Sequence, residues 1–449
     1  MDLLSVLPQL GGFVYTIASF VVALSIIVAV HEYGHYIVGR WSGIHAEVFS
    51  LGFGPVLWSR YDKRGTKWQI AALPFGGYVK FLGDADAASG KDSAVVEAAA
   101  ADPVQLRRTM HGAPLWARTA TVAAGPVFNF IMSIAVFTAL ALSMGAVRDP
   151  LTVGAVVPVP GVESQLRPGD ELIEVAGVPL PGLGDNSGWV AFNAALPFSP
   201  TLEYLVRRDG AEVTLTDTYF SPAYIDTVMP RSAAADAGLQ SGDFISRLNG
   251  EPVFAFKQLV DHVAATEGAP LSLEVTRGSE SFDVSLSPRR VDLPQGDGSF
   301  ASRWLIGITG GKLVDYATES MGLGEALTTG TGQVWGVISS SISGLGHMIT
   351  GAISTCNLSG PIGIAKASGD TASQGALSFI SFIAVLSTAV GLLNLFPIPA
   401  LDGGHLVFYA YEAVVGRPPN DRAVQILMSI GIAMILSLMV FALGNDIFC

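Results

Sequence analysis

The chain contains little cysteine and little charge. Only two of its 449 residues, Cys356 and Cys449, are cysteine, which is too few for a disulfide framework or a cysteine-rich zinc site. Charged residues make up 14%, and 38 Asp and Glu outnumber 25 Lys and Arg. The resulting net charge of −13 argues against nucleic acid as a partner. Residues 1–12 lack the positive charge that begins a secretory signal peptide, so we expect no cleaved leader.

Long apolar runs take the place of the missing charge. Half of the residues are hydrophobic, and the mean hydropathy is +0.47. Four uncharged stretches are long enough to cross a bilayer as helices, namely 13–30, 119–147, 371–401 and 423–443. A fifth, 326–355, is rich in Gly, Ser and Thr and predicts an amphipathic helix on the membrane, with a true span as the alternative. The lipid bilayer is therefore an expected partner.

Positive residues indicate which ends of these stretches face the cytoplasm. Arginines follow the first stretch, precede the second, and lie between the third and fourth: Arg40, Arg107, Arg108, Arg118, Arg417 and Arg422. The positive-inside rule places these segments in the cytoplasm, and it places both termini and residues 148–375 outside.

A metal-binding pattern, His31-Glu32-Tyr33-Gly34-His35, directly follows the first apolar stretch. Residues four apart share one face of a helix, so both histidines could bind one metal ion. Glu32 beside them could take a proton from a water molecule. Polar side chains in lipid are costly without partners, and a zinc site would supply one. The alternative is a pair of core histidines with a glutamate placed between them by chance.

A second polar motif, NLFPIPALDGGH, ends the third apolar stretch. The first and third stretches run in the same direction, so Asp402 would reach the depth of the histidines and could be a third ligand. Its alternative role is to cap the helix that follows. Asn394 either hydrogen-bonds the substrate backbone or satisfies backbone groups freed by Pro397 and Pro399. Asn394, Pro397 and Pro399 are the candidate substrate-binding residues. His405 is expected to lie near the metal site without binding the metal.

The two motifs resemble those of the site-2 protease family of intramembrane zinc metalloproteases. Most of the chain shares the resemblance, which is closest to the family's regulator of sigma-E protease type. Gly125 and Asn129 in the second stretch match a further family motif, as does Ser-Gly-Pro at 359–361. Helix packing through a small residue explains the match at Gly125 and Asn129 equally well.

This resemblance implies a metalloendopeptidase of the bacterial inner membrane, with zinc as its cofactor. His31, His35 and Asp402 would bind the zinc, and Glu32 would be the catalytic base. The implied substrates are single-pass membrane proteins cut in their transmembrane segments, such as an anti-sigma factor already cut by a periplasmic protease. A non-catalytic membrane PDZ scaffold and a metal transporter are the alternatives.

The segment between the second and third stretches contains an internal repeat. Residues 166–179 match 239–252, each with a Gly-Asp pair, an apolar strand and a second turn at Gly. Both copies resemble PDZ domains, which implies tandem modules at 151–217 and 218–290. PDZ domains bind extended peptides at a sheet edge, expected here near 225–229. The modules could instead act only as a size filter.

Residues 46–58 and 67–73 alternate in polarity around a charged turn and predict a β-hairpin, followed by PFGGY at 74–78. The family resemblance implies that this hairpin re-enters the membrane and pairs with unwound substrate through its edge. An ordinary cytoplasmic hairpin is the alternative. Residues 84–102, rich in Ala and Asp, predict a flexible loop, and 291–303 predict a linker.

The predicted fold is a multi-pass α-helical membrane protein of about four spans, with a re-entrant β-hairpin and an inserted tandem pair of mixed α/β PDZ domains. Its predicted segments are a first span with the metal motif (1–43), a cytoplasmic loop with the hairpin (44–114), a second span (115–147), two PDZ-like modules (151–217 and 218–290), a linker with an amphipathic helix (291–370), a third span (371–402), and a loop with a fourth span (403–449).

Overall fold

A computed structural model describes residues 3–85, 90, 92–158, 163–229, 232–294 and 300–448. The N-terminal elements are α1 (Leu3–Trp41), β1 (Ala46–Tyr61), β2 (Lys67–Phe81), α2 (Ser93–Ala99), α3 (Pro103–Arg108) and α4 (Leu115–Met144). The middle elements are β3 (Ala146–Val147), β4 (Val153–Val156), β5 (Glu171–Val175), β6 (Val178–Pro179), α5 (Asn186–Ala195), β7 (Thr201–Arg208), β8 (Ala211–Thr218), β9 (Ile225–Val228), α6 (Ala233–Asp236), β10 (Phe244–Leu248), β11 (Glu251–Pro252), α7 (Phe256–Ala265), β12 (Leu271–Arg277), β13 (Glu280–Leu286), β14 (Arg289–Pro294), β15 (Phe300–Leu305), β16 (Ile308–Gly310), β17 (Val314–Tyr316) and β18 (Thr318–Glu319). The C-terminal elements are α8 (Leu323–Ile349), a 3₁₀ turn (Thr355–Asn357), α9 (Pro361–Ser373), α10 (Ala376–Asn394), α11 (Asp402–Val415) and α12 (Asp421–Phe448).

These elements form two compact units. The membrane unit comprises Met1–Leu140, Leu327–Gly346 and Leu358–Cys449, and the inserted unit comprises Ala141–Ala326 and His347–Asn357. Four helices are long and apolar enough to cross a membrane, namely α1 from Gly12 onward, α4, α10 and α12. They correspond to the four predicted stretches.

The third of these helices is shorter than predicted. α10 ends at Asn394, and residues 395–401 are irregular because Pro397 and Pro399 cannot continue a helix. Within the described residues, α8 is not among the four helices apolar enough to cross. Its position on the membrane surface stays a prediction.

Small residues let α4 approach α1 closely. A Cβ added to Gly34 would lie 2.5 Å from the carbonyl oxygen of Ala124, so only glycine fits there. Toward the other end of α1, Ala23 and Ile27 pack with Ile383 of α10 in an apolar core. Close packing of this kind is typical of helices in membranes. It places the face of α1 that carries the metal motif against α4.

The predicted hairpin forms, but its strands are longer than predicted, and part of β1 pairs with two different parts of β2. β1 and β2 extend to residues 61 and 81, so the PFGGY sequence lies inside β2 and does not follow the hairpin as predicted. Residues 48–51 of β1 pair with 67–70 on one side and with 77–80 on the other. Glycines with positive φ in the middle of β1 permit the bend that this requires.

The prediction of a flexible loop over 84–102 is wrong for its described second half, where α2 forms. Residues 86–89 and 91 lie outside the described residues. Asp92 caps α2, because its Oδ1 accepts the N–H groups of Ala94 and Val95, each at 3.1 Å. The alanine content that suggested a loop favours a helix once a cap is present.

The predicted repeat is visible in the backbone of the inserted unit. Gly169 and Gly242 have φ of +96° and +95°, and Ala176 and Asn249 both have φ of +51°. The first pair occupies the Gly-Asp turns, where a side chain would be strained. The two copies therefore share one turn conformation at both ends of the intervening strand.

A buried aspartate stabilises each copy of the repeat. Asp170 pairs with Arg208 at 2.7 Å, and Asp243 pairs with Arg277 at 2.6 Å. Each aspartate also accepts a backbone N–H from the residue three positions earlier. Burial by itself would raise the pKa of Asp170, but the hydrogen bonds from Arg208 and the backbone hold this pKa below its usual value. The repeated Gly-Asp pair thus has a structural role.

The two copies lie in nested modules. Module 1 (146–220 with 313–319) has a sheet of order β6-β5-β7-β8, and module 2 (223–311) has one of order β11-β10-β12-β13. After module 2 the chain returns to module 1, where β17 pairs with β4 and β18 pairs with β3. The predicted segments 151–217 and 218–290 leave these returning strands out, because short strands so far along the chain carry no periodic signal.

The strand predicted to receive a peptide, near 225–229, is β9, and one of its two sides is taken by another strand. β9 pairs with β16 on one side, and on the other the Ile225 N–H donates to the Asp243 carbonyl. Within the described residues β9 and β16 form a two-stranded sheet, so each has one strand partner, and peptide binding at β9 stays a prediction. The predicted linker 291–303 also differs, because its described part belongs to the antiparallel pair β14 and β15, with 295–299 outside the described residues.

Candidate metal centre and active site

Three side chains from distant parts of the sequence converge near the C-terminal end of α1. His31 and His35 lie on one face of α1, with their Nε2 atoms 3.1 Å apart. The Oδ2 atom of Asp402 lies 3.1 Å from Nε2 of His31 and 3.5 Å from Nε2 of His35. These side chains are only 11–17% exposed. Within the described residues, they form the one cluster of His, Cys, Asp or Glu with ligand spacing.

The arrangement fits a tetrahedral zinc ion. Ligands about 2.0–2.1 Å from zinc in a tetrahedron lie roughly 3.3 Å from one another. The three observed separations of 3.1, 3.1 and 3.5 Å match this value. When both imidazoles are neutral and carry their proton on Nδ1, all three atoms have lone pairs, so they repel one another unless a cation lies among them. A proton on one imidazole nitrogen would form a hydrogen bond within only one of the three pairs of ligand atoms, so the other two pairs would still repel.

Helix α4 supports both histidines from behind. Nδ1 of His35 donates to the backbone carbonyl of Thr121 at 2.9 Å. The side-chain nitrogen of Asn129 lies 3.2 Å from Nδ1 of His31. Gly125 lies between these two contacts, and a Cβ there would meet Nε2 of His35 and lie 2.8 Å from Cε1 of His31. The predicted motif on α4 therefore contacts the cluster itself, and its close helix packing is part of the same contact.

Glu32 faces the hairpin and lies outside the three-residue cluster. The backbone N–H of Val79 interacts with its carboxylate. A Cβ on Gly77 would lie 3.1 Å from Cγ of Glu32 and 2.9 Å from the Val28 side chain. The side of β2 that faces away from β1 therefore runs past Glu32.

Asp402 reaches the histidines from the first residue of α11. Leu401 occupies the N-cap position, so the alternative role of Asp402 as the cap is not observed. A Cβ on Gly403 or Gly404 would overlap the backbone of the irregular segment 395–401. The two glycines let this segment fold back over the start of α11, which directs the carboxylate toward α1.

The predicted substrate-binding residues lie just before α11. The Asn394 side chain donates to the Val390 carbonyl of its own helix at 3.1 Å, and not to groups freed by the prolines. Pro397 and Pro399 belong to the irregular segment. Substrate binding by these three stays a prediction. His405 is not in the described ligand cluster, and burial lowers its pKa, which keeps the imidazole neutral.

Sequence reasoning missed two supports of the site. Arg118 forms a bidentate pair with Glu412 at 2.6 and 2.9 Å, and its guanidinium lies 5.2 Å from the ring centroid of Tyr409. This pair ties the start of α4 to the helix that carries Asp402. In the sequence, Arg118 indicates only which end of the helix faces the cytoplasm. Thr121 contributes a backbone carbonyl, which every residue possesses, so no sequence signal could have found it.

Comparison with known proteins places this chain in a family. The model of Peptidase family M50 matches residues 19–438. The chain belongs to that family. The regulator of sigma-E protease RseP of Escherichia coli (strain K12) is 33% identical over 471 residues, which cover 97% of this chain and 99% of the relative. A Rhizobium meliloti (strain 1021) protein named “Putative zinc metalloprotease” is 36% identical over 435 residues, 96% of each chain. A PDZ domain of an SdrC-like protein from Listeria monocytogenes shares 18% identity and covers 21% of this chain and 92% of that domain, with a TM-score of 0.17.

Membership of family M50 confirms the predicted enzyme class. The chain is a zinc-dependent metalloprotease of the site-2 type, so the scaffold and transporter alternatives are set aside. It is a bacterial inner-membrane protein that acts on membrane-protein substrates in regulated intramembrane proteolysis.

Proposed function

We propose that His31, His35 and Asp402 hold the zinc of this M50 protease, and that Glu32 is its general base. The observation that carries this proposal is the convergence of three ligand atoms within 3.5 Å of one another beside a separate carboxylate. When bound, zinc polarises the scissile carbonyl and lowers the pKa of a water molecule. Glu32 takes the proton of that water and passes it to the leaving amine.

The hairpin supplies what a transmembrane substrate needs before cleavage. A helix hides its peptide bonds within its own hydrogen bonds, so the substrate must unwind. An extended segment could pair along the side of β2 at 77–80 that faces α1. This would bring its backbone next to Glu32, which the Val79 N–H already contacts. Asn394, Pro397 and Pro399 are proposed to contact the substrate on the other side of the site.

Replacing Asp402 with asparagine tests the metal centre. Asparagine keeps the shape but removes the charge that holds a divalent ion between two neutral imidazoles. We expect about one zinc per wild-type chain and at least roughly 100-fold weaker zinc binding by Asp402→Asn. Metal analysis and chelator competition on the purified full-length chain would measure both values.

Asp102→Asn is the matched control, because Asp102 caps α3 and asparagine caps a helix equally well. This variant should keep its zinc. If Asp402→Asn retained wild-type zinc content and wild-type activity, Asp402 would be removed from the proposed site.

The proposed orientation has the inserted unit and both termini outside the cytoplasm. Arginines next to alternate ends of the apolar helices support it through the positive-inside rule. Cys356 in the inserted unit is disulfide-bonded, and disulfides persist in oxidising compartments such as the periplasm. The proposed substrate is an anti-sigma factor whose outer domain a periplasmic protease has already removed.

We further propose that the two modules are PDZ domains that restrict access of uncut substrates. Ala146 pairs with Glu319, so the chain enters and leaves module 1 at adjacent positions. Deleting residues 146–319 and joining the ends with about four Gly or Ser residues would therefore remove both modules whole. A deletion of 152–290 alone would leave β16 and β17 without partners, because it removes β9 and β4. The 146–319 deletion variant should cleave substrates that still carry their outer domain, while it keeps its zinc.

Cleavage of full-length and trimmed model substrates in lipid vesicles would distinguish the two roles of the modules. If a zinc-loaded deletion variant still rejected full-length substrate, gating by the modules would be wrong. If it stopped cleaving trimmed substrate, the modules would be recruiting a peptide end, as PDZ domains do.

A further inference from the structure

Asn129, next to the metal centre, has a buried side-chain oxygen without a hydrogen-bond partner among the described residues. Its side chain is fully buried, and its nitrogen lies 3.2 Å from Nδ1 of His31. A buried amide oxygen without a partner costs about 1–3 kcal/mol, so the arrangement calls for an explanation.

The backbone at Asn129 is held firmly in place. Its carbonyl oxygen accepts hydrogen bonds from the hydroxyls of Ser133 on its own helix, at 2.9 Å, and Ser387 on α10, at 3.1 Å. The Ser133 hydroxyl oxygen also lies 2.8 Å from the Ala384 carbonyl, so its one proton is shared between the two carbonyl oxygens. The side chain therefore projects toward His31 from a fixed point between two helices, and only the rotation of its amide group is free.

The position of the imidazole proton decides how that amide must point. Nε2 of His31 is the atom that faces His35 and Asp402. A neutral imidazole that binds a metal through Nε2 carries its proton on Nδ1, so Nδ1 must donate a hydrogen bond. An amide nitrogen opposite Nδ1 would place two donors face to face. The oxygen and nitrogen of an asparagine amide have nearly the same shape, and a half-turn exchanges them.

We propose that Asn129 is a positioning residue whose side-chain oxygen accepts the Nδ1–H of His31 and so orients that ligand. This single rotation removes the donor–donor conflict and gives the buried oxygen a partner. It also makes the two histidines alike, because His35 already donates its Nδ1–H to the Thr121 carbonyl. The proposal rests on the proposed role of His31 as a zinc ligand. Such supporting acceptors fix the tautomer and orientation of metal-bound histidines.

Two substitutions separate an acceptor from a donor at this position. Aspartate has the same shape as asparagine but only accepts hydrogen bonds, whereas leucine has a similar volume and does neither. We expect Asn129→Leu to weaken zinc binding about 10- to 100-fold and Asn129→Asp to bind zinc within a few-fold of wild type. Chelator competition on the purified full-length chain measures this without any substrate. Equal weakening by both substitutions would overturn the acceptor role.

A spectroscopic measurement keeps the test independent of how well the variants fold. In the zinc-loaded wild-type chain with ¹⁵N-labelled histidine, NMR should show His31 protonated at Nδ1, and a proton on Nε2 would overturn the proposal. His31→Ala distinguishes failure of the proposed metal centre from failure of the proposed role of Asn129. If that variant kept wild-type zinc affinity, the proposed metal centre would fail. If it lost zinc while Asn129→Leu did not, only the role of Asn129 would fail.

Discussion

Glu32→Gln should lower the rate of intramembrane cleavage by about 100-fold or more, while the chain keeps its zinc. Glutamine preserves the length of the side chain that lies against Gly77, and it can still accept the Val79 N–H. It cannot take up a proton from water, so only the general-base step is removed. The measurement is cleavage of a purified transmembrane substrate by enzyme reconstituted in lipid vesicles, with zinc content determined on the same samples.

Glu97→Gln is a suitable control, because Glu97 is an exposed glutamate on α2 of the same unit. It should leave both cleavage and zinc unchanged. Near wild-type cleavage by Glu32→Gln would show that Glu32 is not the base. Loss of zinc by that variant would instead make Glu32 a ligand, which its place outside the ligand cluster argues against.

Gly125→Ala should abolish cleavage by a different route, through loss of the metal. The added methyl group would overlap Nε2 of His35 and lie 2.8 Å from Cε1 of His31, so the two ligands cannot keep their separation. Both the ligand positions and the contact between α1 and α4 would have to change. We expect zinc affinity to fall by at least about 100-fold, as for loss of a supporting contact at a metal site. Chelator competition and cleavage assays would both report the effect.

The same substitution at Gly332 controls for the change of residue type. Gly332 lies on α8 with open space around it, and alanine in a helix is more stable than glycine by up to about 1 kcal/mol. Gly332→Ala should therefore keep full zinc binding and activity. Wild-type zinc affinity in Gly125→Ala would mean that α4 can move away from the histidines at little cost, and the packing argument would fail.

Where local patterns misled, the reason was a helix cap given too little weight in one case and a distant strand partner in the other. Residues 93–99 were predicted as loop from composition, but Asp92 supplies the cap that lets a short alanine-rich helix form. The strand near 225–229 is expected to be an open edge, but β16, far along the chain, pairs with one of its two sides. A strand's periodicity indicates that it is a strand, but its partners depend on the rest of the fold.

By itself, the sequence determined the features that depend on neighbours along the chain. His31 and His35 share one face of α1 because helical geometry places residues four apart together. The four apolar helices follow from uninterrupted apolar runs of bilayer length. The repeated Gly-Asp turns follow from the positive φ that glycine adopts without strain.

Only the tertiary structure decided which distant residues contact these helices, histidines and turns. Asp402 lies beside the histidines because α11 is held to α4 by Arg118 and Glu412, and because α4 packs on α1 through Gly34. The doubled pairing of β1 with β2, the carbonyl support of His35 and the return of β18 to β3 were equally invisible in the sequence. The physical reason is the same in each case. These contacts join segments that the chain itself does not hold together, so they depend on how side chains fill the space between helices and strands.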